Sequence, residues 1–462
     1  MKDERSMEIP VHPAGWESGP EIERYSLSLM GHFMPKIYVL IAEVFALPDK
    51  ADTEAITKNM TAGLEFTLSQ FPVLAGVLDV DEASGRMWVT KKRNSTVSLH
   101  VKHMPDEGEF PSYEELERKD FPASLIEGNQ LLPKSVTAKQ LHSPLGSNDE
   151  GGICLAAFQL NFIRGGLVIG LAIHHALSDG PGCDGFLTTW AENSAAAGKG
   201  TPFVPTKQSF NIYGSPLDVE EPTPAQMEML KNAYPVVKDA GGPMPPPPPG
   251  FKMPPLVPQM WHFPKSKLEA LKRQASTGRA DQWISTYDAV MALLWSGITR
   301  AKLELLKPDL ESRATLVHAV DTRKAWDPPL PERFLGVGAA AARCEPLAVR
   351  DVIAAENLST LAASIRASIA AITPQYLTGL LRWVAGQKDQ RWLEVNVNSF
   401  LGVDLGASSW QGMTAYENHD FGFGLPRALR WPSPAFEGFV FLYPSRAGSK
   451  SEATDEGIEP RG

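Results

Sequence analysis

At 462 residues the chain is long enough for two or three domains with substantial cores, and 43% hydrophobic with 21% charged residues is the composition of an ordinary soluble globular protein. Forty-four basic against 54 acidic residues give a formal charge of -10 with no strong basic block, which argues against nucleic acid or an anionic membrane as the main partner. The start, MKDERSMEIP, lacks an apolar signal core and no segment reaches the length of a membrane span, so a cytoplasmic protein is expected. Cys154, Cys183 and Cys344 are widely spaced and show no metal-ligand pattern, which predicts reduced thiols and no metal site.

In chain order, residues 1–24 are polar and read as an irregular arm, and residues 35–41 read as a strand. Ile56, Met60, Leu64 and Leu68 recur every four residues, one face of a helix that Pro72 stops. Residues 87–90 and 97–101 are short strand candidates. Two apolar runs, 154–162 and 167–173, joined by Arg164-Gly165-Gly166, predict an antiparallel hairpin followed by a helix near 184–196. From 198 to 258 the chain is rich in Pro and Gly, with five prolines at 245–249, and reads as an extended crossover.

The second half opens with Ser266-x-x-Glu269 and Ser285-x-x-Asp288, each the start of a helix. A strand at 315–321 follows. Leu358, Leu361, Ile365, Ile369 and Ile372 mark an amphipathic helix, and strands are expected at 392–399 and 436–443. This gives an N-terminal domain, 1–200; a linker, 201–260; a C-terminal domain, 261–446; and a charged tail, 447–462, expected to be disordered.

The chemistry concentrates in Leu167 to Asp184, LVIGLAIHHALSDGPGCD. An apolar run bounded by glycines and turn residues reads as a buried strand that delivers polar groups at its end. Neighbouring side chains on a strand point to opposite faces, so only one of His174 and His175 can face a given cavity. The same residues also fit a hydrogen-bonded core histidine followed by an ordinary turn at Asp179-Gly180. Near the C-terminus, Asp420-Phe421-Gly422-Phe423-Gly424 fits a tight loop whose glycines take positive φ and whose phenylalanines pack. A kinase reading of that triplet fails, because the chain lacks the glycine-rich phosphate loop and the catalytic-loop signature.

Together, His174-His175-x-x-x-Asp179-Gly180 and Asp420-Phe421-Gly422-Phe423-Gly424 resemble the BAHD acyltransferase family, whose hallmarks are HxxxD and DFGWG. Gln70 to Gly76, Ser285 to Ala289, Val320-Asp321-Thr322-Arg323 and Ser408-Ser409-Trp410 look like further family landmarks, and the resemblance covers residues 25 to about 445. The wording around Met34 to Val39 is closest to fungal members that acylate secondary metabolites. Departures fall at Gly31, where the family usually has Asp, at Val337, where it has Asn, and at Phe423, where Trp is common.

The resemblance implies a mixed α/β fold of two chloramphenicol-acetyltransferase-like domains, each a sheet with covering helices, with a channel between them. It implies acyl-CoA, in particular acetyl-CoA, as co-substrate, no permanently bound cofactor, and a hydrophobic alcohol or amine as acceptor. A monomer is expected. His175 is the expected general base, because a neutral imidazole can take the alcohol proton as the new bond forms. By resemblance Trp410 is the oxyanion donor, with Ser408 a polar neighbour. Asp179 is expected to pair with Arg323 and fix the loop; Asp420, Gly422 and Gly424 have a structural part. Tyr38, His32 and Gly180 are expected on the acceptor side. An alternative is a same-scaffold enzyme performing cyclisation or rearrangement; a noncatalytic binding protein is disfavoured by the intact histidine motif.

Overall fold

The structure, a computed structural model, describes residues 5–105, 108–137, 153–206, 216–242, 250–252, 256–277, 283–432, 436–446 and 459–461. Two apolar segments set its N-terminal half. Ala156–Ile163 and Gly166–His174 are buried at every position, and they pair antiparallel across a tight turn. Strands buried on both faces read as continuous hydrophobic runs, which is why the sequence shows no alternation here. They lie in the middle of a six-stranded sheet, ordered Ser6–Val11, Val97–Met104, Ala156–Ile163, Gly166–His174, Tyr38–Ala46, Ala428–Arg430. Helices Thr53–Gln70 and Gly180–Lys199 pack together, with the Trp190 indole donating to the Met60 carbonyl at 2.9 Å. Each starts on an aspartate, Asp52 and Asp179, whose side chain accepts a first-turn N–H as an N-cap.

The other half is built on a five-stranded sheet, Ala339–Arg343, Leu316–Asp321, Leu405–Ser409, Phe439–Tyr443, Glu459–Arg461, whose second to fourth strands run parallel. Helix Thr286–Leu306 starts in a Ser285/Asp288 capping box and packs against Lys265–Ala275 and Leu358–Ala370. A separate apolar cluster joins the halves: Met30, Phe33 and Met34 pack with Trp326, Phe334, Leu377 and Leu380.

Several sequence expectations change. The N-terminal arm is not irregular, because Ser6–Val11 and Ile22–Ser26 pair with Val97–Met104 and Met87–Lys92. The supposed linker is packed: it holds helix Pro224–Leu230 and strand Val237–Asp239, paired with Leu393–Val395, and it buries Leu217, Tyr234 and Val236. The proline run 245–249 lies outside the described residues. Of the tail, Glu459–Arg461 forms a strand against Phe439–Tyr443, and 447–458 lie outside the described residues. Ala428–Arg430 crosses back to complete the N-terminal sheet, so the boundary at 261–446 does not follow the sheets.

A buried charge cluster holds that returning segment. His419, fully buried, donates from Nδ1 to Glu43 at 2.6 Å, and its Nε2 lies 3.3 Å from Asp184 and 3.1 Å from the Thr188 hydroxyl. Burial opposes the imidazolium, but Glu43 and Asp184 outweigh it and lift the ring up to about 10. The stabilisation is therefore complete below the ordinary imidazole value near pH 6.5 and is lost as pH rises through about 10. Removing one partner of a buried pair costs about 3 to 5 kcal/mol, so His419→Gln is expected to lower the thermal midpoint strongly at pH 7. The gap to wild type should narrow above pH about 10, as read by circular dichroism melts across pH.

Candidate active site

The histidine strand ends at His174, and the next five residues, His175 to Asp179, turn the chain into helix Gly180–Lys199. The His175 N–H donates to the Ile37 carbonyl at 2.8 Å, and its Nδ1 lies 3.0 Å from the Ser178 carbonyl. A carbonyl only accepts, so Nδ1 carries the proton and Nε2 keeps its lone pair. Burial holds this ring below its ordinary value, while Asp179 and the backbone carbonyl pull it part of the way back. His175 is thus a half-buried imidazole that is neutral at neutral pH. His174 points elsewhere. It is fully buried, accepts the Ala176 N–H on Nδ1 at 3.2 Å, and packs edge-on against Tyr38 with centroids 5.3 Å apart.

Asp179 is 2% exposed and every oxygen is engaged. Oδ1 accepts from Gly182 N–H at 2.9 Å and Arg323 Nη2 at 2.7 Å; Oδ2 accepts from Gly338 N–H at 2.8 Å and Arg323 Nη1 at 3.1 Å. Arg323 also donates to the Phe334 and Gly336 carbonyls and to Asp321. A Cβ on residue 338 would lie 2.9 Å from Arg323 Nη1, so glycine there lets the backbone and guanidinium share one carboxylate. Burial disfavours the Asp179 charge, yet Arg323 and the two N–H donors hold it below the usual carboxylate range. With its lone pairs taken, Asp179 fixes the turn that presents His175.

Trp410, 6% exposed, follows strand Leu405–Ser409 and packs against Phe441 and Tyr443. Its Nε1 lies 3.1 Å from where a Cβ on Gly180 would stand, so the indole rests on the first residue of the helix after Asp179. The half-buried Ser408 lies two residues before it on the same strand. The structure therefore brings Trp410 onto Gly180, at the end of the turn that begins with His175.

It does not bring Tyr38 and His32 there as free groups. Tyr38 lies opposite His174 in register, on that residue's face, and its hydroxyl donates to the Cys154 carbonyl at 2.7 Å. His32 is 2% exposed, with Nδ1 3.2 Å from the Ser28 carbonyl and Nε2 accepting the Met87 N–H at 3.0 Å. Asp420 gathers its own loop, accepting from the N–H groups of Gly422 and Gly424 at 2.8 and 2.9 Å. Both glycines hold positive φ, 102° and 105°, and Phe421 and Phe423 close on Phe45. Sequence reasoning missed Gly338, which has no motif of its own, and Lys36, which it took only as part of the strand at 35–41, whereas the strand starts at Tyr38.

Replacing Asp179 by Asn leaves Arg323 buried without its counter-ion, at a cost of about 3 to 5 kcal/mol. Because the carboxyl value is depressed, this contribution is present above the ordinary carboxylate range and fades as pH falls through the folded value. Denaturant unfolding of Asp179→Asn is therefore expected to show a large deficit at pH 7 that shrinks in acid.

The description "Transferase family" matches residues 123–455, and "Trichothecene 3-O-acetyltransferase-like N-terminal domain" matches residues 37–192. Acetyltransferase FGR3 of Gibberella zeae is 31% identical, covering 97% of this chain and 88% of its own. Trichothecene 3-O-acetyltransferase TRI101 of Fusarium sporotrichioides is 25% identical over 94% of this chain and 93% of that one. Among solved structures, F. graminearum TRI101 complexed with coenzyme A and deoxynivalenol superposes with TM-score 0.74 at 18% identity, covering 95% and 94% of the two chains. Vinorine synthase gives 0.60 at 18% identity, covering 98% and 93%, so the fold is the two-domain, chloramphenicol-acetyltransferase-like one. The chain belongs to this transferase family, the BAHD acyltransferases, and is an acyltransferase.

Proposed function

We propose that this enzyme transfers an acetyl group from acetyl-CoA to a hydroxyl of a hydrophobic secondary metabolite, with His175 as general base in a ternary complex. The observation that carries this reading is the His175 tautomer: Nδ1–H is tied to Ser178, which leaves a basic Nε2 on a half-buried ring kept neutral by burial. The substrate class is supported by relatives whose structures hold coenzyme A together with deoxynivalenol or T-2.

In this mechanism Nε2 takes the alcohol proton as the oxygen attacks the thioester carbonyl, forming a tetrahedral oxyanion. The Trp410 indole N–H, held over Gly180, stabilises that charge. Collapse breaks the carbon–sulfur bond, and the leaving thiolate receives the proton from the His175 imidazolium. No acyl-enzyme forms.

The test is incubation of the purified enzyme with acetyl-CoA and a panel of alcohols, with mass detection of an acetylated product. His175→Ala should lose at least about a hundredfold in kcat while keeping its fold, and His174→Ala should lose less. Trp410→Phe, which keeps the ring but not the donor, should lose roughly a hundredfold in kcat. Near-normal turnover of folded His175→Ala would remove the base assignment. Because burial lowers the His175 value, the rate should stay high down to pH about 6.5 and decline only below it.

A further inference from the structure

The backbone just before strand Tyr38–Ala46 is folded around a lysine. Lys36 Nζ donates to the carbonyls of His32 and Met34, the latter at 3.0 Å, so the ammonium is clamped onto the short helix Leu29–His32 and the residues after it. That helix presses on the catalytic turn: a Cβ on Gly31 would meet the Ala176 carbonyl at 2.1 Å. The residue next to Lys36, Ile37, accepts the His175 N–H, which continues the register of Tyr38 opposite His174 by one residue. The clamp thus fixes a cation beside the turn that carries the base.

We propose that Lys36 is a positioning residue for catalysis, whose clamped ammonium acts electrostatically on His175 to keep the imidazole in its neutral, proton-accepting form. The surroundings set the balance. His32, His174 and His175 all lie within electrostatic reach of Lys36, and Glu394, on the strand Leu393–Val395 of the other half, supports its charge. Asp179 acts on His175 in the opposite sense, but Arg323 and two backbone N–H groups already hold its charge. Burial pushes the Lys36 ammonium down to about 7, so it is charged across the acid range in which His175 titrates. A base that protonates early would be idle in mildly acid conditions; a fixed cation nearby delays that.

This proposal rests on His175 being the base, and the experiment separates the two. The His175 imidazole is titrated by NMR in wild type, Lys36→Gln and Lys36→Arg, with the resonance assigned by its loss in His175→Ala. The glutamine amide can still donate to backbone carbonyls but carries no charge, and Lys36→Met serves should the glutamine variant not fold. The uncharged variant is expected to titrate at least about half a pH unit higher than wild type, with the arginine variant close to wild type. Its kcat/KM acid limb should move up by the same amount while KM changes little. An unshifted midpoint in a folded, uncharged variant would overturn the proposal. A shifted midpoint without any shift in the acid limb would leave the tuning intact and remove His175 as the base.

Discussion

A carboxylate buried in protein costs several kcal/mol unless cations and N–H groups surround it, and Asp179 meets that demand with four donors from three separate segments. One donor is the start of its own helix, two are on Arg323 after strand Leu316–Asp321, and one is the backbone at Gly338. These segments come from both halves, so satisfying the charge and assembling the site are the same event. The side chain that the motif makes conspicuous therefore works through geometry, by fixing the turn on which His175 stands.

The same logic governs the pair of histidines. His174 ends the strand and His175 follows it, and pleating and pairing separate them: His174 accepts from Ala176 on Nδ1 and packs on Tyr38, with its Nε2 buried and without a partner among the described residues, while His175, half-buried, is held by Ile37 and Ser178 and keeps its Nε2 lone pair. Backbone contacts, and not acidic side chains, fix the tautomer. Such an arrangement leaves the imidazole neutral, which an adjacent free carboxylate would have compromised by stabilising the imidazolium.

How much of this was legible in the sequence depends on range. The hairpin 156–174, the helix cap at Ser285 and the self-contained loop after Asp420 declare themselves locally, and family resemblance supplies the Asp179–Arg323 pair, while the Asp179 cap, four residues ahead of the expected helix at 184–196, does not declare itself. The alternation Met7, Ile9, Val11 was present but short and interrupted by Pro10, and it reads as a strand only beside its partner, Val97–Met104. Ala428–Arg430 is too brief to carry any pattern. The resemblance puts Tyr38 on the acceptor side, whereas its place opposite His174 follows from strand register, which is a tertiary fact. The proline-rich stretch misled by composition: Tyr234 and Val236 pack because the other half offers them Leu377 and Leu380.

The returning strand has a consequence for synthesis. Until residue 430 leaves the ribosome, Tyr38–Ala46 has no neighbour on its outer side, and Glu43 has no imidazolium to neutralise it. The N-terminal sheet is therefore an incomplete template through most of translation, with an open edge able to recruit strands from other nascent chains. Glu43 helps at this stage. An ionised carboxylate in the middle of that edge resists intermolecular pairing, and the charge that later locks His419 in place first guards the vacancy it will fill.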